Sequence, residues 1–207
     1  MDYVKVDGQT VVKWPYTLAD LKADHPNDLF GRVPPESAFT DRGAFPVIVD
    51  EPPSPTDTAV PAKDDLPEYR DGAWRLGWHL EPLDEARVKS RLAAEWQRRV
   101  DLGGVFTVPG VTDPIPVPGK QPYREIIQAK LSAAQLFASQ GVTEPAVLFR
   151  DGANTNHMLT PTQMINLCLQ SMRFYEALSR VFWDMKDGAG DFTGGIPENF
   201  TADEHWP

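Results

Sequence analysis

The sequence has little of what disulfide scaffolds, thiolate metal sites and membrane spans are made from. One cysteine, Cys168, among 207 residues excludes an intrachain disulfide and every metal site that needs several thiolates. No uncharged apolar run approaches the ~18 residues a spanning helix requires. The opening stretch, MDYVKVDGQT, lacks an apolar core of signal-peptide length. The chain is therefore expected to start in a cytoplasm and to stay out of bilayers, unless it leaves within a larger particle. Positive charge is scarce as well. Twenty Lys and Arg face thirty Asp and Glu, a net charge of −10, so a nucleic-acid backbone or an anionic membrane would be repelled over most of the surface. The densest basic cluster, Arg87, Lys89, Arg91, Arg98 and Arg99, is interleaved with Glu85 and Glu95 and reads as an ion-paired helix face.

The common catalytic signatures are missing too. Gly119-Lys120 is followed by Gln121, which leaves a phosphate loop without its hydroxyl ligand for magnesium. GAGDFTGG, residues 188–195, lies between a helix end and the tail rather than between a strand and a helix, so it reads as a joint. There is no GxSxG elbow and no HExxH pair. The histidines, His25, His79, His157 and His205, stand singly, away from other ligand types at helical spacing. Asp151, Asn154 and Asn156 have the look of a calcium loop, but Ala153 occupies a ligand position and no bidentate glutamate follows. A polar hairpin loop is the expectation there. Cys168 falls mid-helix on an apolar stripe, where a thiol packs rather than reacts. No catalytic residue, metal or cofactor is expected.

What is present is a fold. Apolar residues make up 41% of the chain, enough for a packed core at this length. The twenty prolines are unevenly spread, and their densest interval is EPPSPTDTAVPAKDDLP, residues 51–67, with five, a linker by composition. Before it, Asp7-Gly8 between two apolar runs signals a hairpin, and Thr17 caps LADLKAD, giving a small ββα module over residues 1–50. That module buries too little to stand alone, so Trp14, Tyr16, Leu18, Leu21 and Phe30 are expected to pack on another surface.

After the linker, 51–68, a C-terminal domain is expected over 69–187. Trp74, Leu76, Trp78 and Leu80 alternate as one strand. Val88, Leu92, Trp96 and Val100 then line a helix that stops at Gly103-Gly104. VFTVPGVTDPIPV supplies two short β segments, and a second helix over 123–139 follows, with Ile127, Leu131 and Ala134 on its face. Val147 to Phe149 reads as a strand before the Asp151-Gly152 turn. Thr160, Pro161 and Gln163 together start the last helix, whose stripe is Met164, Cys168, Tyr175, Leu178, Phe182 and Met185. The expected class is α+β: a small N-terminal ββα module, a Pro-rich linker, and a C-terminal three-helix domain with interspersed β hairpins. At helix or strand spacing, tryptophans are expected in the core, and only Trp206 lies beyond every element. In the Gly-rich tail, 188–207, the large apolar groups Phe192, Ile196, Phe200 and Trp206 are expected to anchor a partner protein.

In order, WPYTLADLKADHPNDLF, the proline-rich middle, DGAWRLGWHLEPL, a helix ending RRVDLGG, and LFRDGANTNHMLTPTQMINL resemble tail-fibre-region proteins of tailed bacteriophages that carry a C-terminal domain of unknown function. The pattern covers most of the chain and departs at GKQPYREIIQAK, where such proteins often carry an Asp and Ser/Gln-bearing segment. The resemblance implies a structural protein of the virion tail, in the baseplate or tail-fibre attachment region. Its partners would be other virion tail or fibre proteins, and its location the virion, with the host cytoplasm during assembly. It brings no catalytic residues. A tail-fibre assembly chaperone is the alternative, and a small hydrolase or glycan-binding protein a remote one.

Overall fold

A computed structural model describes residues 2–207. The protein is mixed α and β, with five helices and several small sheets, and divides into two compact units, Met1–Leu83 and Asp84–Pro207.

In the first unit, β1 (Tyr3–Asp7) and β2 (Thr10–Tyr16) form the hairpin announced by Asp7-Gly8, with Gly8 at φ 61°. Thr17 caps α1 (Leu18–Asp24) through a capping box with Asp20. The Asp20 carboxyl is held well below the usual carboxylate range, first by the Lys13 ammonium and then by the Thr17 hydroxyl and amide. A four-residue helix, α2 (Ser37–Thr40), precedes β3 (Ala44–Val49). β4 (Ala59–Lys63) follows, then β5 (Glu68–Arg70), β6 (Ala73–Leu76) and β7 (Trp78–Pro82). Five of these strands make one sheet in the order β2-β1-β3-β6-β5, in which only the β3–β6 pair is parallel.

This arrangement differs from the expected one in a physically simple way. The ββα unit packs in two places: Trp14 and the hairpin on strand residues beyond the proline-rich stretch, and Tyr16, Leu18, Leu21 and Phe30 on Phe39 and Ala44 before it. Val4, Val47, Trp74 and Leu76 bury together with Val6, Val11, Trp14 and Phe45 against them. A second cluster gathers Tyr16, Leu21, Phe39 and Ala44, where the Tyr3 and Phe39 rings stack with centroids 4.0 Å apart. The compact boundary therefore falls at Leu83 rather than within 51–68. Part of the proline-rich stretch is itself a strand: β4 pairs with β7 along its whole length. Pro61 fits there because a two-stranded ribbon leaves one side of each strand free of partners. The alternating run Trp74 to Leu80 is two strands, in different sheets. The chain changes sheet at Gly77, where a Cβ would stand 2.4 Å from an Asp64 carboxylate oxygen. Trp74 and Leu76 are buried, whereas Leu80 is exposed.

The second unit follows its periodicity closely. Asp84 caps α3 (Glu85–Leu102), its carboxylate accepting from the Arg87 amide at 2.8 Å, and Gly103 ends the helix at φ 74°. β8 (Gly104–Phe106) and β9 (Ile115–Val117) form an antiparallel ribbon. α4 (Gln121–Ser139) leads to the hairpin β10 (Val147–Arg150) and β11 (Asn156–Leu159). Thr160 and Gln163 then close the capping box of α5 (Pro161–Asp187), which stops at left-handed Gly188. The core joins Phe106, Ile115 and Val117 of the ribbon and Val108 of its loop to Ile127 and Ala134, to Val147, Phe149 and Leu159, and to Met164, Leu167 and Cys168. Leu131 packs half-buried against it, and Phe182 stacks on Trp96 at 5.2 Å. The α3 end and the stretch Val117 to Gly119, where β9 runs out, touch backbone to backbone. A Cβ on Gly119 would lie 1.7 Å from the Val100 carbonyl oxygen, and one on Gly103 1.9 Å from that of Val117.

Candidate functional site

A wide hollow of the first unit arises from strand register. β1 pairs with Ala44 to Pro46 of β3, while β6 begins only opposite Val47. The β5–β6 hairpin turns at Asp71 and Gly72, both at positive φ, as an Asp-Gly turn allows. The first half of β3 is thereby left without a neighbour on the β6 side. The result is an open groove of about 660 Å³ walled by Phe45, Pro46, Ile48, Tyr69 and Trp74. Tyr69 is 53% exposed and Ile48 47%, large apolar groups held at the rim of a concave surface. The Tyr69 ring leans on Trp74, centroids 5.6 Å apart. Glu36 is the one charged side chain of the lining, and Thr40 brings a hydroxyl. Apolar walls with few polar groups are suited to seating a side chain or short segment, not to moving protons.

A smaller polar hollow of about 310 Å³ lies on the same unit, lined by Asp50, Asp64, Glu68, Arg70, Arg75 and Trp78 among others. It gathers carboxylates as a glycosidase would, so its pairing decides its meaning. Asp50 accepts from both Arg70 and Arg75, the latter at 2.8 Å, and its backbone carbonyl accepts from Trp78 Nε1 at 2.9 Å. Asp64 bonds His79 Nδ1 at 2.8 Å. These pairs stitch together the strands on either side of the Gly77 sheet change, which is a structural network.

In the second unit, Asp151 is buried and organises the β10–β11 turn. One carboxylate oxygen accepts from the Ala153 and Thr155 amides, each at 2.8 Å, and the other meets His157 Nε2 at 2.8 Å. Burial pushes this carboxyl up, but the bonds from His157, Thr155 and Ala153 outweigh it and leave the pKa lowered. All the carboxylate's bonding goes into the loop. Burial pushes the Cys168 thiol up to about 11, and its Sγ faces the Ile127 carbonyl at 3.7 Å, the opposite of a nucleophile's environment. Among the described residues no group of three or more His, Cys, Asp or Glu is placed to hold a metal ion, and no helix is long and apolar enough to cross a membrane.

The tail does not present the expected anchors. Phe200 is 1% exposed and Trp206 7%, both buried within their own unit. Trp206 donates its indole N–H to the Phe200 carbonyl at 2.7 Å, and the Arg99 guanidinium covers its ring 5.0 Å from the centroid. Arg99 also donates to the Thr201 carbonyl and to Asp203, while Glu95, buried beneath, holds Arg98 and Arg99. Phe192 and Ile196 are half-buried, Phe192 with its ring edge toward His205. The tail is an internal strap on α3, because its aromatics find a cation and an apolar seat at home. Trp183 is the exposed tryptophan, at 58%. Nothing in the sequence marks Phe45, Ile48 and Tyr69 as neighbours, though the apolar run AFPVIV after Gly43 is a strand signal.

Compared with protein-family models, with curated proteins and with solved structures, the chain finds no match in any of the three.

Proposed function

We propose that the protein is a structural component of a bacteriophage tail, in the baseplate or tail-fibre attachment region, and that it works by holding other tail or fibre proteins. It acts in the virion after assembly in the host cytoplasm, and as a binding protein rather than an enzyme. The observation that carries this reading is the groove of the first unit. It is an apolar concavity fixed by sheet register, with Tyr69 and Ile48 exposed at its rim, the composition of an interface centre rather than of a reaction site. The ordered segments that resemble tail-fibre-region proteins, from WPYTLADLKADHPNDLF to LFRDGANTNHMLTPTQMINL, support the same reading. Two compact units in one chain suit a connector that touches more than one neighbour.

The test is incorporation into particles. Ile48→Glu with Tyr69→Glu places charge at two exposed positions, so folding is expected to survive while particles lose the protein. Incorporation at the wild-type level would overturn the reading. A protein needed for fibre attachment yet absent from finished particles would assign it to assembly as a chaperone instead.

A further inference from the structure

α5 is 27 residues long and α4 is 19, and the two run antiparallel, since Cys168 Sγ meets the Ile127 carbonyl at 3.7 Å while Tyr175, seven residues further on, feels the charge of Arg124, three residues further back. The last two turns of α5 therefore run past the start of α4, over about 12 Å. Along this side the helices leave a trough. Its deeper part, about 300 Å³, is formed by Arg124, Ile127, Gln128 and Leu131 of α4 against Cys168, Ser171, Met172 and Tyr175 of α5. Both sets have the spacing i, i+3, i+4, i+7, which presents two parallel rows and a furrow between them. Tyr175 also lines the next hollow, with Glu176, Ser179, Arg180 and Trp183. From Cys168 to Trp183 the trough is about 22 Å long.

Its chemistry is graded. Ile127, Leu131 and a half-exposed Met172 make one end apolar, exposed Trp183 makes the other aromatic, and two arginines lie between. Arg124 and Arg180 have no ion-pair partner among the described residues, whereas Arg70, Arg75, Arg98 and Arg99 all do. Glu176 is the single acid in the lining. In a chain of net charge −10, unpaired cations beside exposed Met and Trp form a local positive apolar strip. A partner helix of four turns, about 15 residues, matches that length, and one with acids flanking its apolar stripe matches the charge.

We propose that the α4–α5 trough seats an acidic amphipathic helix of a partner protein. This goes beyond the groove of the first unit and stands whether or not that groove binds a tail protein. The probe is a pair of helical peptides of about 15 residues with leucines at i, i+3, i+4 and i+7, one flanked by glutamates and the other by lysines at the same positions. The expected result is saturable binding of the acidic peptide to the full chain, with amide NMR shifts at Met172, Tyr175, Arg180 and Trp183. Arg124→Gln with Arg180→Gln should weaken it at least about tenfold, and the lysine peptide should bind at least about tenfold more weakly than the acidic one. Equal binding of both peptides, shifts located elsewhere, or no binding at millimolar peptide would overturn the proposal. So would a dimer of the free protein that Trp183→Glu dissociates, because the occupant would then be a second copy.

Discussion

Trp206→Ala is expected to destabilise the Asp84–Pro207 unit, and its size follows from the contacts of the strap. Trp206 is nearly buried, its indole N–H is bonded to the Phe200 carbonyl, and Arg99 lies over its ring. Truncating a buried tryptophan costs about 3 to 5 kcal/mol. Arg99 offsets part of this by keeping Glu95 and Asp203 as partners. A net loss of about 3 kcal/mol remains. For a unit of this size that lowers the melting temperature by roughly 10 °C. Scanning calorimetry, or urea unfolding followed through the other tryptophans, reads it directly. Phe192→Ala, at a half-buried position on the same tail, should cost about 1 kcal/mol. A Trp206→Ala protein melting within about 1 °C of wild type would refute the strap and restore the tail as a free anchor for another protein.

Thr160→Ala removes the acceptor for the Gln163 amide and half of the capping box, and should cost about 1 kcal/mol in urea titration. Leu167→Ala, fully buried where α5 meets the core, should cost about 2 to 5 kcal/mol by the same measurement. Gly119→Ala pushes a methyl into the Val100 carbonyl and should lower stability by at least about 1 kcal/mol, where an exposed glycine would show no loss. Asp151 has a folded pKa below its unfolded value, so its contribution is present above the ordinary carboxylate value near ~4 and is lost as pH falls through the lower folded value. Asp151→Asn should accordingly flatten the acid limb of the stability-against-pH curve, and an unchanged limb would contradict the role given to that carboxylate.

Local chemistry was legible wherever the deciding partner lies within a few residues. Thr17 and Thr160 cap helices, Gly103 stops one, and Asp7-Gly8 turns a hairpin, each signal carried by side chains that bond their own neighbours. The apolar stripe of α5 was legible too, since Met164, Cys168, Leu178 and Met185 are all buried. What stayed hidden depends on distant partners. Alternation from Trp74 to Leu80 reveals a face but not which sheet owns it, and only the Asp64 carboxylate beside Gly77 shows why the chain changes sheets there. The parallel pairing of β3 with β6 skips over β4 and β5, so no turn residue announces it, and the groove it creates was equally silent. Trp206 and Trp183 exchanged expected places. A tail aromatic has no periodicity to place it against Arg99, while Trp183 sits on the flank of α5 that runs beyond α4 and has no helix to cover it.

The proposed tail role is tested most directly by counting. Under the proposed role, quantitative mass spectrometry of purified particles of a phage whose genome is found to carry this sequence should find the protein in a fixed, whole-number ratio to the major tail and fibre proteins, and that ratio should collapse in particles lacking the fibre-attachment region. Particles that are complete and infectious without any copy of the protein would contradict the account.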